Sequence, residues 1–374
     1  MIVLALMPNR PRCGVSDYAD HLYQDAQCLG SDIVLKKINM TFWNCIKAPF
    51  LRADIVHVQH EYSLFGFAGI AGFLLMLYFL PFRLVGRRFA TTLHTIYDWD
   101  RVDAIFAHRT RLKILLFALR CYGKAYDRLI VSVSDLLIFL SNYSYASFAR
   151  KFPELKPTRV AVIPIGVYDR VVQVQVGQIL SDRLALSVGD FVLTLLGFAF
   201  PNKGYHLAIE ALNVLHVEYP KLKLLIVSGE PAEGGGGYLG QLKQLVAGYG
   251  LADKVIFTGY VPFDDPLFDA VLSRTNCFLY PYLSESATSG SLATTFPARK
   301  IYLTSDLEMF RDFSPRVTFN VGDMTDLVNK IKLIINLHPS DLSKNSEMIE
   351  EFIQNNNIES MRKRHIVRFH KLLL

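Results

Sequence analysis

The sequence predicts an α/β fold of two doubly wound, Rossmann-like domains that face a cleft, and three observations lead to this prediction. The length of 374 residues exceeds one ordinary domain and suits two. With 51% hydrophobic and 20% charged residues, the chain can bury a sizeable core, which excludes intrinsic disorder. Strand-like runs alternate with helix-length stretches, which is typical of parallel sheets with helices on both faces.

The first βα series is predicted to start with the first residues of the chain. Residues 1–7 form a short apolar run with no basic segment before it, which favours a strand over a signal peptide. Runs rich in β-branched or aromatic residues predict strands at residues 2–6, 32–38, 54–60, 89–94, 129–133 and 159–163. Helix-length stretches, such as residues 15–28 and 101–125, lie between them.

A second βα series follows a less regular segment at residues 167–190, which we interpret as a linker. Its strands are predicted at residues 191–197, 223–229, 254–258, 276–280 and 301–304. The chain is therefore divided into an N-terminal domain at residues 1–175, a C-terminal domain at 186–340 and C-terminal helices at 341–374. Two doubly wound domains are expected to bind a ligand at the carboxyl ends of their strands.

Composition limits the compartment and the partners. Five widely spaced cysteines without a C-x-x-C pair favour a reducing, cytoplasmic compartment over a disulfide framework or a zinc ribbon. The net charge of +6 is too small to indicate nucleic-acid binding. Residues 1–170 carry 21 Lys+Arg and 13 Asp+Glu, a net of +8, whereas residues 171–374 carry 19 and 21, a net of −2. The positive charge is therefore concentrated in the first domain.

Two turns of the second domain are predicted to bind phosphate. Gly197 ends a strand, and Lys203 precedes a helix whose N-terminus offers free N–H groups and the positive end of the helix dipole. Ser289, Gly290 and Ser291 follow a later strand and form a second candidate anion nest. The alternatives are an ordinary βα turn with a solvated lysine and a serine N-cap without a ligand. Because both turns follow strands of one sheet, we favour a diphosphate.

The first domain offers candidate residues at equivalent places. Gly14 follows the first strand and would let the backbone approach a ligand closely. His94 ends a strand at the expected cleft edge, and its position supports a functional role, since a lone histidine is more often structural. Gln59 and Glu61 end the preceding strand and could line an acceptor pocket.

Two patterns in the first domain resemble metal sites, and we disfavour both. His57 and His60 lie close in sequence, but strand alternation turns His57 and Gln59 to one face and His60 to the other. The D-x-D pattern of Asp98 and Asp100 matches the metal motif of GT-A glycosyltransferases, but that fold would leave the second βα domain unexplained. We interpret these carboxylates as loop or helix-start acids.

The order and spacing of the motifs resemble the retaining GT-B glycosyltransferases of family four, the nucleotide-sugar-dependent glycosyl transferases of group 1. The matching segments are residues 13–18, 58–62, 93–95, 163–167, 197 with 203–204, 257–262, 280–282, 289–291 and 304–307. The resemblance implies a retaining hexosyltransferase of the EC 2.4 class. It would move a sugar from a UDP- or GDP-linked donor to a glycan or polyprenyl/lipid-linked acceptor, without a metal or other cofactor.

The resemblance also implies roles for individual residues. His94 would contact the transferred sugar, and Lys203 would hold the donor diphosphate and stabilise the departing nucleotide. Gln59 and Glu61 would lie on the acceptor side, and the last helix would pack back on the first domain. The expected donor-binding residues are Gly14, Gly197, Lys203, Tyr260, Glu285, Ser289, Gly290 and Ser291.

The sequence departs from the family pattern at three places. Residues 198–200 are Phe-Ala-Phe where the family has an arginine shortly before the lysine. The place of the family's second glutamate falls at about Thr294, and Arg299 or Lys300 could supply the missing positive charge. Two alternatives therefore stay open: a catalytically impaired glycosyltransferase-like subunit that acts as a binding partner, and a GT-B nucleotide-sugar epimerase.

One segment of the first domain indicates a membrane partner. Residues 62–82 carry no charge and are long enough to span a bilayer, but the predicted strands on both sides favour a buried or membrane-apposed helix. Arg83, Arg87 and Arg88 follow, and basic and apolar residues mix along residues 109–124. This pattern suits a peripheral site on the inner face of an anionic membrane, with a solvated helix face as the alternative.

Overall fold

The computed structural model describes residues 1–8, 13–23, 34–62, 69–101, 113–168, 171–173, 184–229, 237–286, 288–313 and 316–374. The chain forms two compact units. Unit 1 combines Met1–Ile165 with Ser286–Thr288 and Glu359–Leu374, and unit 2 combines Gly166–Glu285 with Ser289–Ile358.

Unit 1 is built on a sheet in which all pairings are parallel. Its strands are β1 (Ile2–Met7), β2 (Val34–Asn39), β3 (Ile55–His60), β4 (Arg88–Leu93), β5 (Leu136–Phe139) and β6 (Val160–Val162). They lie in the order β2-β1-β3-β4-β5-β6. Every residue of β3 is buried, as expected for a central strand that is covered on both faces.

Helices cover this sheet and close its core. They are α1 (Gly14–Tyr23), α2 (Phe42–Lys47), α3 (Ile70–Leu84), α4 (Lys113–Val133) and α5 (Asn142–Ala149). Phe79 of α3 stacks on Phe89 of β4 with ring centroids 5.1 Å apart, and neither ring is exposed. Aromatic rings of this size bury large apolar areas, so they account for much of the packing between helix and sheet.

The predicted strand at residues 129–133 is wrong. These residues form the last turn and a half of α4, and the strand β5 follows at Leu136–Phe139. The buried residues Tyr126, Ile130 and Val133 are spaced four and three apart, which is the helical period. A short apolar run taken alone cannot distinguish a buried strand from the buried end of a helix.

Unit 2 repeats the same architecture with a second, entirely parallel sheet. Its strands are β7 (Phe191–Leu196), β8 (Leu222–Val227), β9 (Val255–Phe257), β10 (Cys277–Tyr280), β11 (Ile301–Ser305) and β12 (Val317–Phe319), in the order β12-β11-β10-β7-β8-β9. The strand β12 was not predicted, because three residues are too few to show a period. The two doubly wound α/β units confirm the predicted fold class.

The helices of unit 2 are α6 (Tyr205–Leu215), α7 (Tyr238–Gly248), α8 (Pro266–Arg274), α9 (Gly290–Thr295), α10 (Met324–Ile335) and α11 (Pro339–Asn356). Local sequence explains their bounds, as α10 shows. The Asp323 carboxylate caps α10 by accepting a hydrogen bond from the Asp326 N–H at 2.9 Å. Leu327, Ile331 and Ile334 then form its buried face.

The last helix, α12 (Ile358–Leu373), packs on unit 1. Its buried residues Met361, His365 and Phe369 are four apart and form one face. Arg362 donates from Nε and Nη2 to the His21 carbonyl oxygen at 2.9 and 2.6 Å. Side-chain and backbone contacts therefore join the end of the chain to α1.

The uncharged segment at residues 62–82 is partly described, since residues 63–68 lie outside the described residues. Its remainder contains most of α3, a helix of 15 residues. Within the described ranges, no helix combines the length and the apolar character that a membrane span requires. On α3, Leu75, Met76 and Phe79 face the core, whereas Ile70, Leu74, Leu77 and Leu84 are about half exposed or more.

Candidate functional site

The two predicted phosphate-binding turns of unit 2 lie side by side. Strand β10 pairs with β7, so the turns that follow these two strands share one place at the carboxyl edge of the sheet. Gly197 follows β7, and Ser289–Ser291 follow β10 and begin α9. Strand order, and not proximity in sequence, brings these segments together.

Gly197 is the point on which the two turns converge. Its φ of +114° suits glycine, and a Cβ at this position would lie 3.1 Å from both the Lys203 Nζ and the Ser291 Oγ. Lys203 Nζ also lies 5.5 Å from the centre of the Tyr282 ring. No carboxylate in the described part of the chain forms an ion pair with Lys203. The ammonium is therefore available to an anion at this edge.

A network of hydroxyl groups orders the second turn. Ser289 Oγ caps α9 by accepting from the Leu292 N–H at 3.3 Å, and it lies 3.2 Å from Ser291 Oγ. Tyr282 OH lies 3.2 and 3.4 Å from these two serine oxygens. Tyr280 OH donates to the Ser291 carbonyl oxygen at 3.1 Å. The first backbone N–H groups of α9 therefore lie beside several hydroxyl donors.

The lysine turn is held by backbone contacts. Gly204 adopts φ +64°, and a Cβ there would overlap the carbonyl oxygen of Pro281. The N–H of Leu283 donates to the Asn202 carbonyl oxygen at 2.8 Å. Because only glycine fits this close approach, the Lys203 turn is fixed against the segment that leads to the serines. This arrangement preorganises the charge.

Two aromatic residues, Phe198 after β7 and Tyr260 after β9, form a pair at the same carboxyl edge of the sheet. Phe198 and Tyr260 stack with ring centroids 5.8 Å apart and an angle of 3° between their planes. A Cβ at Gly229 would lie 2.8 Å from the Tyr260 Cβ, so glycine at the end of β8 makes room for Tyr260. Tyr260 keeps 40% of its surface exposed. Phe198, which stands in the segment where the family has arginine, thus belongs to an aromatic surface.

Glu285, a predicted donor-binding residue, and Thr294, near the expected place of the family's second glutamate, both make contacts within unit 2. The Glu285 carboxylate accepts hydrogen bonds from the backbone N–H groups of Glu308 and Met309, at 2.8 and 3.0 Å. Thr294 Oγ1 donates to the Ser291 carbonyl oxygen at 2.8 Å. Glu285 therefore orders the turn after β11, and its donor contact stays a prediction.

The suggestion that Arg299 or Lys300 replaces the missing arginine is wrong. Both residues directly precede β11, so they lie at the amino edge of the sheet, whereas Gly197 and the serines lie at the carboxyl edge. A six-residue strand such as β7 separates these edges by roughly 20 Å. Arg299 Nε also pairs with Glu350 Oε2 at 2.5 Å. Neither cation reaches the turn at Lys203.

In unit 1, the predicted residues also lie at the carboxyl edge of the sheet. The adjacent strands β1, β3 and β4 lead to Gly14, Glu61 and His94. Gly14 begins α1, is exposed, and has open space where a Cβ would stand. Glu61 accepts a hydrogen bond from the Thr95 hydroxyl group. Contacts of Gly14 with a donor and of Glu61 with an acceptor stay predictions.

A chain of hydrogen bonds fixes His94. Gln59 Oε1 lies 2.8 Å from His94 Nε2, and Gln59 Nε2 donates to the Tyr23 hydroxyl group at 3.3 Å. Tyr23 OH contacts His57 Nδ1, and His57 Nε2 lies 2.8 Å from Thr92 Oγ1. Gln59 is fully buried, so it orients His94, and a direct contact of Gln59 with an acceptor stays a prediction.

His94 is held in its neutral form. Burial, followed by repulsion from His60, lowers the pKa of His94 to about 3. Because the amide oxygen of Gln59 can only accept, the Nε2–H of His94 is the donor in their contact, and Nδ1 carries a lone pair. The imidazole can therefore accept a hydrogen bond from a hydroxyl group at neutral pH.

The histidines of β3 separate as strand alternation predicts. His57 shares Tyr23 with Gln59, whereas His60 Nε2 contacts Tyr126 OH at 3.0 Å. Among the residues that the structure describes, no group of three or more His, Cys, Asp or Glu side chains could hold a metal ion. The sequence interpretation did not include Tyr23 or His365 among the site residues. The spacing of His365, four residues from Met361 and from Phe369, was a signal that it belongs to a buried helix face.

The residues of the D-x-D pattern support the structure of unit 1. Trp99 is buried, begins a short 3₁₀ helix (Trp99–Arg101), and donates from Nε1 to Asp127 Oδ2 at 3.0 Å. Asp100 pairs with Lys124 at 2.6 Å. Lys151 Nζ completes the contacts of Asp127 at 2.9 Å. The two acids thus lie at a helix start, as the sequence interpretation proposed.

The arginines of the predicted cationic patch, Arg83, Arg87 and Arg88, all make contacts within unit 1, and their contact with a membrane stays a prediction. Arg87 donates from its three guanidinium nitrogens to the carbonyl oxygens of Pro49, Leu51 and Ala53, at 3.0, 3.1 and 2.6 Å. Arg83 and Arg88 both pair with one carboxylate oxygen of Asp135, at 3.4 and 3.6 Å. The three guanidinium groups therefore hold the amino edge of the sheet together.

The second part of the chain is similar to known sequences. Residues 178–355 match the family model described as glycosyl transferases group 1. Mannosylfructose-phosphate synthase from Agrobacterium fabrum (strain C58 / ATCC 33970) is 38% identical over 116 residues, which are 30% of this chain. The match spans only 25% of the length of that relative.

Solved structures are similar over the whole chain. A glycosyltransferase from Rickettsia africae ESF-5 superposes with a TM-score of 0.75 at 14% identity, covering 100% of this chain and 98% of that one. Sucrose-phosphate synthase from Thermosynechococcus elongatus gives 0.73 at 16% identity, covering 100% and 99%. Anabaena Alr3699/HepE in complex with UDP gives 0.72 at 14% identity, covering 98% and 99%. The protein therefore has the two-domain GT-B fold of these structures, and its residues 178–355 match the model of the group 1 glycosyl transferases.

Proposed function

We propose that this protein is a retaining glycosyltransferase that takes a sugar from a UDP- or GDP-linked donor and transfers it to a glycan or lipid-linked acceptor. The observation that carries this proposal is the convergence of Lys203 Nζ and Ser291 Oγ on the Gly197 backbone in unit 2. A lysine, free backbone N–H groups and hydroxyl donors at one point form a site for a diphosphate.

The chemistry of transfer explains why this site needs a cation. As the bond between sugar and nucleotide breaks, negative charge grows on the departing diphosphate. Lys203 is held by a fixed turn, so its charge needs little reorganisation when the transition state forms. In this proposal Lys203 supplies the positive charge, and no metal or other cofactor takes part.

Other residues of the proposed donor site have separate tasks. The stacked rings of Phe198 and Tyr260 would receive the base, since an exposed aromatic face binds a base by stacking. Thr294 would offer a hydroxyl group, in place of a carboxylate, to the ribose. His94 would accept a hydrogen bond from the transferred sugar through Nδ1, and Gln59 would hold it in that orientation.

The names of similar structures suggest the first donors and acceptors to test. The Anabaena protein has been solved with UDP-glucose, and an α,α-trehalose-phosphate synthase (UDP-forming) from Burkholderia xenovorans has been solved with glucose-6-phosphate. The partial curated relative is a sugar-phosphate synthase by name. We therefore place UDP-glucose, GDP-mannose and sugar-phosphate acceptors at the head of the panel.

Donor binding can be tested with the full chain in the presence of EDTA. We expect at least one UDP- or GDP-sugar to raise the melting temperature and to bind in calorimetry, because the site needs no metal. Nucleotide should be released when an acceptor is supplied. If no donor binds, the chain is a glycosyltransferase-like subunit without catalysis, and if nucleotide is released without an acceptor, the epimerase alternative gains support.

We further propose that unit 1 binds an anionic membrane surface through α3. Ile70, Leu74, Leu77 and Leu84 form a stripe along this helix, with exposed fractions of 50%, 56%, 48% and 72%. Phe50, which is 69% exposed, contacts Phe82 near the end of the same helix, with ring centroids 5.0 Å apart. The exposed cations Lys47 and Arg52 flank Phe50 in the sequence. Apolar side chains beside cations suit the interface of an anionic bilayer.

Substitutions in the stripe test this proposal. The double variant Leu74→Glu/Leu77→Glu should lose cosedimentation with phosphatidylserine vesicles, since two carboxylates oppose both insertion and the lipid charge. A matched control is Val214→Glu/Val217→Glu on unit 2, whose valines are 59% and 80% exposed. Equal vesicle binding by both double variants and the original protein would exclude α3 as the contact.

A further inference from the structure

A pocket of about 380 Å³ lies at the amino edge of the unit 2 sheet, far from the turn at Gly197. The starts of β7 and β11 form one side of it through Phe191 and Ile301. The end of α10 and the segment after it add Ile334 and Leu337. This amino-edge pocket has the volume of a small-molecule site, and most of this wall is apolar.

Lys300 brings an uncompensated charge to the amino-edge pocket. Its side chain lines the pocket and is half-buried. In the described part of the chain, no carboxylate or other acceptor contacts its ammonium group. Burial, followed by repulsion from the neighbouring Arg274, lowers the pKa of Lys300. A partly buried cation whose charged neighbour is another cation is unfavourable unless an anion joins it.

Arg299 lies beside Lys300 in a strained backbone conformation. Its φ of +51° is in the left-handed region, which glycine adopts without cost and other residues adopt rarely. Arg299 Nε pairs with Glu350 on α11, and Nη1 donates to the Pro297 carbonyl oxygen at 3.0 Å. Arg299 thus places a second positively charged side chain at the pocket, although glycine at this position would relieve the backbone strain. Strain that is kept in this way indicates a function.

Some polar side chains of the pocket already form hydrogen bonds within the protein. Asn276 Oδ1 accepts from the Val192 N–H at 2.8 Å, and Asn345 Nδ2 donates to the Lys300 carbonyl oxygen at 3.3 Å. Lys300 and Ser346 both line the pocket, and among the described residues neither the Lys300 ammonium nor the Ser346 hydroxyl group donates to an acceptor. The lining therefore offers donors to an anion and apolar side chains to a hydrocarbon body.

We propose that the amino-edge pocket is a second binding site, for a small amphipathic anion. Its phosphate or carboxylate head would bind Lys300 and Ser346, and its short apolar body would lie against Phe191 and Ile334. The site lies at the edge of the sheet opposite the proposed donor site, and the inference does not depend on glycosyl transfer.

Calorimetry on the full chain tests the site with hexyl phosphate, hexanoate, hexanol and inorganic phosphate. We expect an anion with an apolar body to bind more tightly than hexanol or inorganic phosphate, because only such an anion contacts both the donors and the apolar side chains of the pocket. Lys300→Met should weaken this binding by about tenfold or more, since a charged hydrogen bond is lost. Lys243→Met, at an exposed lysine of α7 that does not line the pocket, should leave it unchanged.

Two further measurements keep the proposal testable if a variant folds poorly. Without ligand, Lys300→Met should raise the melting temperature, because it removes an unpaired cation. In the unmodified protein, hexyl phosphate should slow acetylation of Lys300 by acetic anhydride, measured by mass spectrometry, with the exposed Lys243 as the internal reference. Acetylation that is equally fast with and without the anions, or anion binding that survives in Lys300→Met, would overturn the proposal.

Discussion

Lys203→Met should lower sugar transfer by about 10²- to 10³-fold with little change in melting temperature. The substitution keeps the length of the side chain but removes the cation that converges with Ser291 on Gly197. Because negative charge on the diphosphate grows as the donor bond breaks, the loss should appear mainly in kcat and less in KM. Initial rates of nucleotide release, measured over a range of donor concentrations, check this split.

Lys243→Met is the matched control. Lys243 Nζ lies 5.8 Å from the centre of the Phe257 ring, much as Lys203 Nζ lies over Tyr282, but it belongs to the exposed face of α7. This variant also removes a lysine charge and a contact with an aromatic ring, but at a position outside the Lys203 turn. Its turnover should therefore be unchanged. A Lys203→Met enzyme with normal kcat and raised KM would show that Lys203 binds donor and transition state equally.

Acid should destabilise unit 1 strongly. His57, His60 and His365 are at most 1% exposed. Burial lowers the pKa of His60 to about 3 and that of His365 to about 4, and it holds the pKa of His57 well below 6.5. Since the unfolded chain binds protons near pH 6.5 and the folded chain does not, stability is complete above that pH and falls below it. His94, whose pKa is about 3, belongs to the same group, so four histidines each contribute about 1.4 kcal/mol per pH unit, together about 5 kcal/mol per pH unit.

Tryptophan fluorescence can follow this loss in unit 1 alone, because both tryptophans, Trp43 and Trp99, belong to it. Urea unfolding at pH 7.5, 6.5, 5.5 and 5.0 should give a free energy of unfolding that is nearly constant at first and then drops. His365→Gln should reduce the slope between pH 6 and 5 by about one quarter. His370→Gln, at an exposed position on the same helix, should not alter it. A slope near zero in the original protein would contradict the prediction.

The strands that carry the candidate site could be predicted because their sequences are unambiguous. The run before Gly197 is apolar and contains β-branched residues, and glycine ends it. The structure has β7 at this place. The run at residues 129–133 has similar composition but continues α4, because the pattern before it is helical. Local composition therefore predicts a strand only where its flanks break the helical period.

The arrangement within the site required strand order, which sequence does not reveal. Lys203 and Ser291 meet because β10 pairs with β7, although two strands separate them along the chain. The opposite case is the suggestion that Arg299 or Lys300 supplies the missing positive charge, since both residues directly precede β11. Residues directly before a parallel strand lie at its amino edge, so that proposal could have been excluded without a structure.

The contact between Tyr18 and His365 has a consequence for the synthesis of this protein. Their side chains meet at 3.2 Å, although 347 positions separate them in the chain. The first strands of unit 1 leave the ribosome long before α12, which supplies His365, Phe369 and the arginine that binds the His21 carbonyl. At a translation rate of 5–20 residues per second, roughly 20 to 70 s pass before that helix exists. The N-terminal unit therefore reaches its final packing only once α12 has been made.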